Sequence, residues 1–588
     1  MPSPRQIAVP GSWGEQFPEL RDYLGPAWYA TRVEPPRSWW ASSAPPRLLL
    51  RVGAASYAAA VYVNGALLGV HEGGHLPFQV ELPAGAPGPL RVALRVEGLL
   101  SPERVPPGAL SARPQQYPNV SYDFFPHAGV HRAVTLLAVP AACVDDVTVT
   151  SAVARDCASA EVTVRLQARA WAGAAEVRLF ASQGGAEAAA AAVDAFSAAG
   201  EAACTLRLAS PRLWSPAAPH LYWLRVRLLR PGAAEPADEV SLDVGVRCVA
   251  VDGDRLLLNH APLALRGFGK HEDAPLSGRG YNLPAAVRDA AAMRWTGANS
   301  YRTAHYPHSE DSLSVADRAG LAVIGETPAC YLCFHDGAAA QAARLAACRR
   351  ATRELVARDK NRACVLLWSL ANEPEANAHL ATHGVAVPPP EDESWKELGR
   401  AFFADLFAYA RQLDASRPLT LAAHPASDMS WVALCDVVCT NRYNGWYDLP
   451  GRPRDGALKL GRALDAEHAA LRRPFILSEF GADAIAGTHA HPPEMWSEEY
   501  QSEFIAAYLD LAQGRPWLIG FHVWNLTDFK TPQAIRRPGG INHKGVFTRE
   551  RRPKMAAHTL RAAWRPAQLA EAAAAGAAVT DEGVVVAV

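Results

Sequence analysis

A chain of 588 residues is too long for one ordinary hydrophobic core, and this length predicts roughly three or four domains. With 58 basic and 59 acidic side chains the formal charge is −1, so no global field draws in polyanions and no nucleic-acid partner is expected. No run approaches the roughly eighteen consecutive apolar residues of a membrane span, and the opening MPSPRQIAVPGSWGEQF lacks the charged-then-apolar pattern of a secretory signal, which predicts a cytoplasmic protein with no membrane partner.

Up to about residue 245 the chain contains short alternating runs: AAVYVNG (59–65), PLRVALRVEG (89–98), AVTLLAV (133–139), DDVTVTSAV (145–153) and AEVTVRLQARA (160–170). Turns rich in Gly, Pro and Ala separate them, the pattern of all-β sandwiches. A break near residue 140, in AVPAACVDDVTV, predicts two sandwiches, 1–140 and 141–248. The alanine-rich tract from Ala181 to Ala203 lies between strand patterns, and its middle reads as a loose loop.

From about residue 249 to 588 short apolar strands alternate with amphipathic helices, which argues βα units around a parallel sheet. Eight strands are readable: LALRGF (263–268), ANSYRT (298–303), LAVIGE (321–326), CVLLWSL (364–370), LTLAAH (419–424), DVVCTN (436–441), PFILSE (474–479) and LIGFHVW (518–524). Long helical stretches such as 339–360 and 497–513 intervene. The count fits a (β/α)8 TIM barrel, whose chemistry sits at the C-terminal ends of its strands. Cys330 and Cys333 have a spacing that can ligate zinc or form a redox pair, but no second pair completes a zinc set, and the ten cysteines read as small buried side chains.

Glu373 lies just past the fourth predicted strand, in LLWSLANEPEA, and Glu479 ends the seventh, in FILSEFGAD. Two carboxyl groups across a cleft suit glycosidic cleavage: one protonates the leaving oxygen while the other attacks or activates water. A separation of about 5 Å gives retention through a covalent intermediate, and a wider one leaves room for an inverting water. The alternative is that each is a structural carboxylate, capping a loop or pairing with Arg302 or Arg442.

WSLANEPEA and ILSEFGAD resemble the acid/base and nucleophile motifs of glycoside hydrolase family 2, and the surrounding words resemble its β-glucuronidases: VNGALLGVHEGGHLPF, DFFPHAGVHR, RGFGKHED, GANSYRTAHYP, NRYNGWY, MWSEEYQ, VWNLTDF and NHKGVFTRERRPK. The resemblance spans nearly the whole chain and implies a jelly-roll β-sandwich (1–140), an immunoglobulin-like β-sandwich (141–248) and a catalytic (β/α)8 barrel (249–588). It also implies a retaining hydrolase of terminal β-D-glucuronic acid, with Glu373 as acid/base, Glu479 as nucleophile and Tyr443 steadying the nucleophile. Asn372 is then expected to hold the 2-hydroxyl, His305 and Trp524 to line the sugar pocket, and Asp123 to enter it from the jelly roll.

GGINHKG resembles the Asn-x-Lys element by which glucuronidases hold the C6 carboxylate, which assigns Asn542 and Lys544 to it. A charge-assisted bond favours a uronate, because a neutral hexose leaves the ammonium unpaired. Tyr447, in NGWY, resembles a second carboxylate contact, and Arg536 or Arg537 a third. No metal or organic cofactor is implied, and family analogy gives a homo-oligomer, dimer or tetramer.

Three departures stand against the family pattern. The chain opens at IAVPGSWGEQF, where relatives have a preceding strand, implying an upstream start or an exposed sheet edge. The loop after GETPA (325–329) is short and carries the Cys pair, while residues 375–394 form a long segment stiffened by three prolines. The aglycone is therefore not specified. A β-galacturonidase, sharing Asn542 and Lys544, and a non-catalytic carbohydrate-binding protein stand as alternatives.

Overall fold

Alternating side chains build the first sandwich. In Leu90–Glu97 the residues Leu90, Val92, Leu94 and Val96 are buried and their neighbours are not, so one face of the strand is core. This strand pairs with Ala27–Val33 on one side and Ala58–Val63 on the other, with Ala66–Glu72 beyond. A second sheet of Val134–Val139, Arg47–Val52 and Phe78–Glu81 meets it over Leu48, Leu50, Val61, Val80 and Val92. Among the residues that the computed structural model describes (5–40, 46–83, 88–108, 120, 122–233, 235–334, 337–375 and 393–576), Ala27–Val33 has a strand partner on one side only, leaving an open edge that carries the exposed Trp28.

The next sandwich packs the sheet Cys143–Val153, Ser159–Arg169, Glu201–Ala209 against the sheet Glu187–Val193, Ala174–Phe180, Tyr222–Leu229, Asp238–Val244. The alanine-rich tract departs from the expected loop. Glu187–Val193 is an edge strand paired with Ala174–Phe180, Ala191 standing opposite Val177, and residues 181–186 and 194–200 form the connections on either side of it. Alanine has little β preference of its own, so the pairing partner and the half-buried Ala189 and Ala191 decide the conformation.

The eight parallel strands of the barrel run in chain order as Leu265–Lys270, Ser300–Thr303, Ala322–Glu326, Val365–Asn372, Leu419–Ala423, Val438–Asn441, Phe475–Phe480 and Leu518–Val523, and the last closes on the first. Every residue of the fourth strand is buried, which is why its sequence is a near-continuous apolar run instead of an alternation. Side-chain oxygens of Asn282, Ser309 and Ser497 cap the helices Leu283–Thr296, Glu310–Ala319 and Glu498–Leu509. The proline-bearing segment after the fourth strand lies outside the described residues from 376 to 392. No helix among the described residues is long and apolar enough to cross a membrane.

Both sandwiches dock on the barrel. Val120, Tyr122 and Phe124 of the jelly roll form one apolar cluster with Tyr306, Tyr331, Trp524 and Phe529 of the barrel, and the Phe125 N–H donates to the Lys530 carbonyl at 2.9 Å. From the second sandwich, Trp214 is fully buried in the barrel's own core and its Nε1–H donates to the Asp317 carbonyl at 2.8 Å. Arg247 adds bonds of 2.6 Å from Nε to the Ala363 carbonyl and 2.6 Å from Nη2 to that of Val365, at the base of the fourth strand. Trp214→Ala removes the largest of these contacts, and we expect it to lower unfolding stability by about 3–5 kcal/mol. Urea titration followed by fluorescence and circular dichroism measures this; a loss under about 1 kcal/mol would show that the second sandwich is not anchored by this residue.

Candidate active site

The strand ends at the C-terminal mouth of the barrel carry the charged residues. Arg302 lies on the second strand, Glu326 ends the third, Asn372 ends the fourth, Asn441 ends the sixth and Glu479 lies near the end of the seventh, all buried. Glu373 leaves the fourth strand with φ 46°, in the left-handed region, while its N–H still donates to the Ala422 carbonyl at 2.7 Å. The apolar run therefore stops where the chain turns out of the ladder, and Pro374 falls where no strand donor is needed.

A single guanidinium organises these groups. Arg302 Nη1 donates to both oxygens of Glu326 at 2.7 and 2.7 Å and reaches Asn372 Oδ1 at 3.4 Å, while Nη2 donates to Glu479. The Tyr443 hydroxyl donates to the other oxygen of Glu479 at 2.6 Å. Asn441 Nδ2 donates to Glu373 Oε1 at 2.9 Å and to Asn372 Oδ1 at 3.1 Å, and Ser478 fixes the amide by donating to its oxygen at 2.7 Å. His305 Nδ1 lies 2.9 Å from Glu326 and its Nε2 lies 3.6 Å from Glu479, with the ring stacked on Trp524 at 4.8 Å and 18°.

Burial pushes the Glu479 carboxyl up to about 8; Arg302 and the Tyr443 hydroxyl pull against that rise, and the Glu373 carboxyl adds to it. Burial also raises Glu326, against the opposing pull of Arg302. For His305, burial and then the neighbouring Arg302 push the imidazole well below its ordinary value, so it is neutral at pH 7. Burial works against the charge on Arg302 as well, but the two glutamates outweigh it and hold the guanidinium ionised.

On the other side of the mouth lies a four-charge cluster. Lys544 is 1% exposed, pairs with the fully buried Asp483, and donates to the Tyr447 hydroxyl at 3.0 Å. Arg537 pairs with Asp123 from the jelly roll, reaches Asp483 at 3.4 Å and donates to Tyr447 at 3.0 Å. Asn542 donates to Asp123 at 2.9 Å. Asp123, Tyr447, Arg537, Asn542 and Lys544 thus come together, as do Glu373, Glu479, Tyr443, Asn372, His305 and Trp524. Arg536 does not join them: its side chain is exposed, and only its carbonyl takes part, accepting from Arg537 Nη1 at 3.1 Å. Arg442 is turned away, paired with Glu467 at 2.6 Å.

Sequence reading missed Glu326, Asn441 and Asp483, and treated Arg302 only as a rival partner. Glu326 and Asn441 satisfy the same strand-end criterion as Glu479, and Asp483 stands four residues beyond it in SEFGAD, so the signal was present in each case. Neither Cys330 nor Cys333 is in a disulfide; Cys330 is buried against Asn372, which donates to its sulfur at 3.4 Å, and burial pushes its thiol well up. No group of three or more His, Cys, Asp or Glu among the described residues is arranged to hold a metal ion.

Comparison with known proteins agrees with this geometry. The family model "Glycosyl hydrolases family 2, TIM barrel domain" matches residues 249–569, and "Glycosyl hydrolases family 2" matches 142–247. A β-glucuronidase of Paenibacillus borealis is 37% identical over 578 residues, covering 95% of this chain and 91% of that one. The Rattus norvegicus β-glucuronidase is 35% identical, covering 94% and 84%. Among solved structures, Ruminococcus gnavus β-glucuronidase superposes with a TM-score of 0.86 at 32% identity, over 96% of this chain and 93% of its own; its complex with D-glucuronic acid gives a TM-score of 0.84 at 32% identity, over 96% and 92%. Two sandwiches, a closed barrel with paired carboxylates at its mouth, and matches along almost the entire length have one reading: the chain belongs to glycosyl hydrolase family 2.

Proposed function

We propose that this protein is a retaining β-glucuronidase that removes terminal β-D-glucuronic acid through a covalent glycosyl-enzyme. The observation that carries the proposal is Lys544, an ammonium with 1% exposure at the barrel mouth beside Asn542 and Tyr447, on the same rim as the Glu373–Glu479 pair. Lys554 is as deeply buried, but its ammonium meets Asp528 and the Ala484 and His543 carbonyls, whereas Lys544 bonds only to Asp483 and Tyr447 and keeps a third hydrogen for a ligand. Relatives named β-glucuronidase and the neighbour solved with D-glucuronic acid support the same substrate. The change of sheet between Val139 and Cys143 and the family matches support a jelly roll in 1–140, an immunoglobulin-like sandwich in 141–248 and a catalytic barrel in 249–588. A cytoplasmic setting belongs to the same proposal and suits ten cysteines that form no disulfide.

In this mechanism Glu373 gives its proton to the glycosidic oxygen as Glu479 attacks C1, and the bonding pair of the C1–O bond leaves with the aglycone. Glu373 then takes a proton from water, which attacks C1 from the face that the aglycone left and releases Glu479. Arg302 and the Tyr443 hydroxyl orient the Glu479 carboxylate with one donor on each oxygen. Asn372 Oδ1 accepts from Arg302 and Asn441, so the amide face that remains for the sugar's 2-hydroxyl is Nδ2, opposed only by the weak Cys330 acceptor. His305 and Trp524 form the stacked wall of the pocket, Asp123 reaches it from the jelly roll, and carboxylates with positioning suffice for every step.

Retention is tested by a 2-fluoro glucuronide with a good leaving group, which is expected to label Glu479 and no other residue; a label elsewhere, or α-glucuronic acid as first product by NMR, rules the mechanism out. Since Glu479 must be ionised to attack and its carboxyl is raised to about 8, the acid limb of kcat/KM is expected above the ordinary glutamate range. The Tyr443 hydroxyl stabilises the ionised form, so Tyr443→Phe raises the value further and moves that limb to higher pH. A limb that stays in place or moves down contradicts the assigned bond. Lys544→Ala is expected to lower kcat/KM for 4-nitrophenyl glucuronide by about thirty- to several-thousand-fold, from the roughly 2–5 kcal/mol cost of breaking a desolvated charge pair. The β-glucoside, neutral at C6, is expected to hold level or improve. An unchanged glucuronide-to-glucoside ratio would end the uronate reading, and the galacturonide in the same panel reports on C4.

A further inference from the structure

Counting N–H groups in the four-charge cluster leaves few for a ligand. Arg537 has five: Nε donates to Asp123, Nη1 to Asp483 and the Arg536 carbonyl, Nη2 to Asp123 and Tyr447, so all are engaged. Lys544 has three, of which one goes to Asp483 and one to Tyr447. Asn542 spends one amide hydrogen on Asp123, and its oxygen accepts from the Lys544 backbone N–H at 3.0 Å. One hydrogen on Lys544 and one on Asn542 remain, two N–H donors for the two oxygens of one carboxylate, beside the hydrogen of the Tyr447 hydroxyl, whose oxygen accepts from both Lys544 and Arg537.

What fixes the Lys544 ammonium is a carboxylate with no exposed surface. Without Asp483 the ammonium would keep one directional bond, to the Tyr447 hydroxyl at 3.0 Å, and three aromatic faces, those of Tyr447, Trp446 and Tyr443 at 4.8, 5.2 and 5.8 Å, which attract a cation but do not direct its hydrogens. Asp483 is itself held: its Oδ1 accepts the His543 N–H at 2.9 Å, and Ala484 N–H donates to the His543 carbonyl at 3.0 Å. These bonds knit the 542–544 loop to the end of the strand that carries Glu479, four residues back.

We infer that Asp483 is the positioning residue of the uronate subsite, aiming Lys544 so that it and Asn542 present one N–H each, at a span from Glu479 set by the sugar's C1-to-C6 length. Arg537 also braces the jelly roll against the barrel through Asp123. This rests on the proposed glucuronidase reading, and its test separates the two. Asp483→Asn keeps the shape and removes the charged acceptor. The glucuronide-to-glucoside ratio of kcat/KM is expected to fall roughly tenfold to a hundredfold, with KM for the glucuronide rising more than kcat falls. Because Asp483 acts through Lys544, adding Asp483→Asn to Lys544→Ala is expected to lower the ratio no further. If Lys544→Ala lowers the ratio and Asp483→Asn does not, or if the two effects add in full, the positioning role is overturned while the uronate reading stands. If neither moves the ratio, both fall. Should Asp483→Asn alone unfold the protein by leaving Lys544 unpaired, Lys544→Met is compared with Asp483→Asn/Lys544→Met, which has no orphaned charge; equal ratios support the role, and a further fall overturns it.

Discussion

The arrangement depends on the burial of one guanidinium. Arg302 has no exposed surface, and its hydrogens tie the ends of the third, fourth and seventh barrel strands together through Glu326, Asn372 and Glu479. An ion so placed costs several kcal/mol unless partners compensate it, and here two carboxylates share one cation. That imbalance is useful to the chemistry. Glu326 fixes the cation, so Arg302 can orient Glu479 without neutralising it fully, which suits the nucleophilic role proposed for that carboxylate.

The jelly roll is part of the site and not an appendage to it. Tyr122 and Phe124 pack on the barrel aromatics that carry Trp524, and Asp123 between them reaches Arg537. Behind this wall His75, His131, His271 and His308 are buried, and burial pushes each imidazole below its ordinary value, so the interface holds them neutral beside Arg279 and Arg132. A contact of this kind, aromatic at the front and hydrogen-bonded behind, gives a mouth residue from a different domain the precision of one on a strand.

Much of the fold was legible because barrel strands are buried on both faces and interrupted by helices, a pattern that survives without knowledge of the partner. All eight strands, and Glu373 and Glu479 at their ends, were found that way. Glu187–Val193 was missed because its conformation comes from its neighbour Ala174–Phe180 and not from its own alanines. Arg536 and Arg537 are adjacent and chemically identical, so only the turn at 534–537 decides that the second faces inward. Glu326, Asn441 and Asp483 were missed for a different reason: their roles are relations among side chains on separate strands, and a motif reports a residue without its partners.

The uronate cluster has a further consequence for what the mouth ignores. Lys544 and Arg537 are balanced by Asp483 and Asp123, so the four-charge cluster has no net charge. Chloride or phosphate from the surrounding solution would meet cations whose fields are already met at short range, and would gain little on leaving water. On the proposed reading, a carboxylate carried on a sugar ring arrives with its desolvation offset by the rest of the ring and with two oxygens for the spare hydrogens of Lys544 and Asn542. A cluster balanced in this way favours an anion delivered on a ring that fits the mouth over a free ion of the medium.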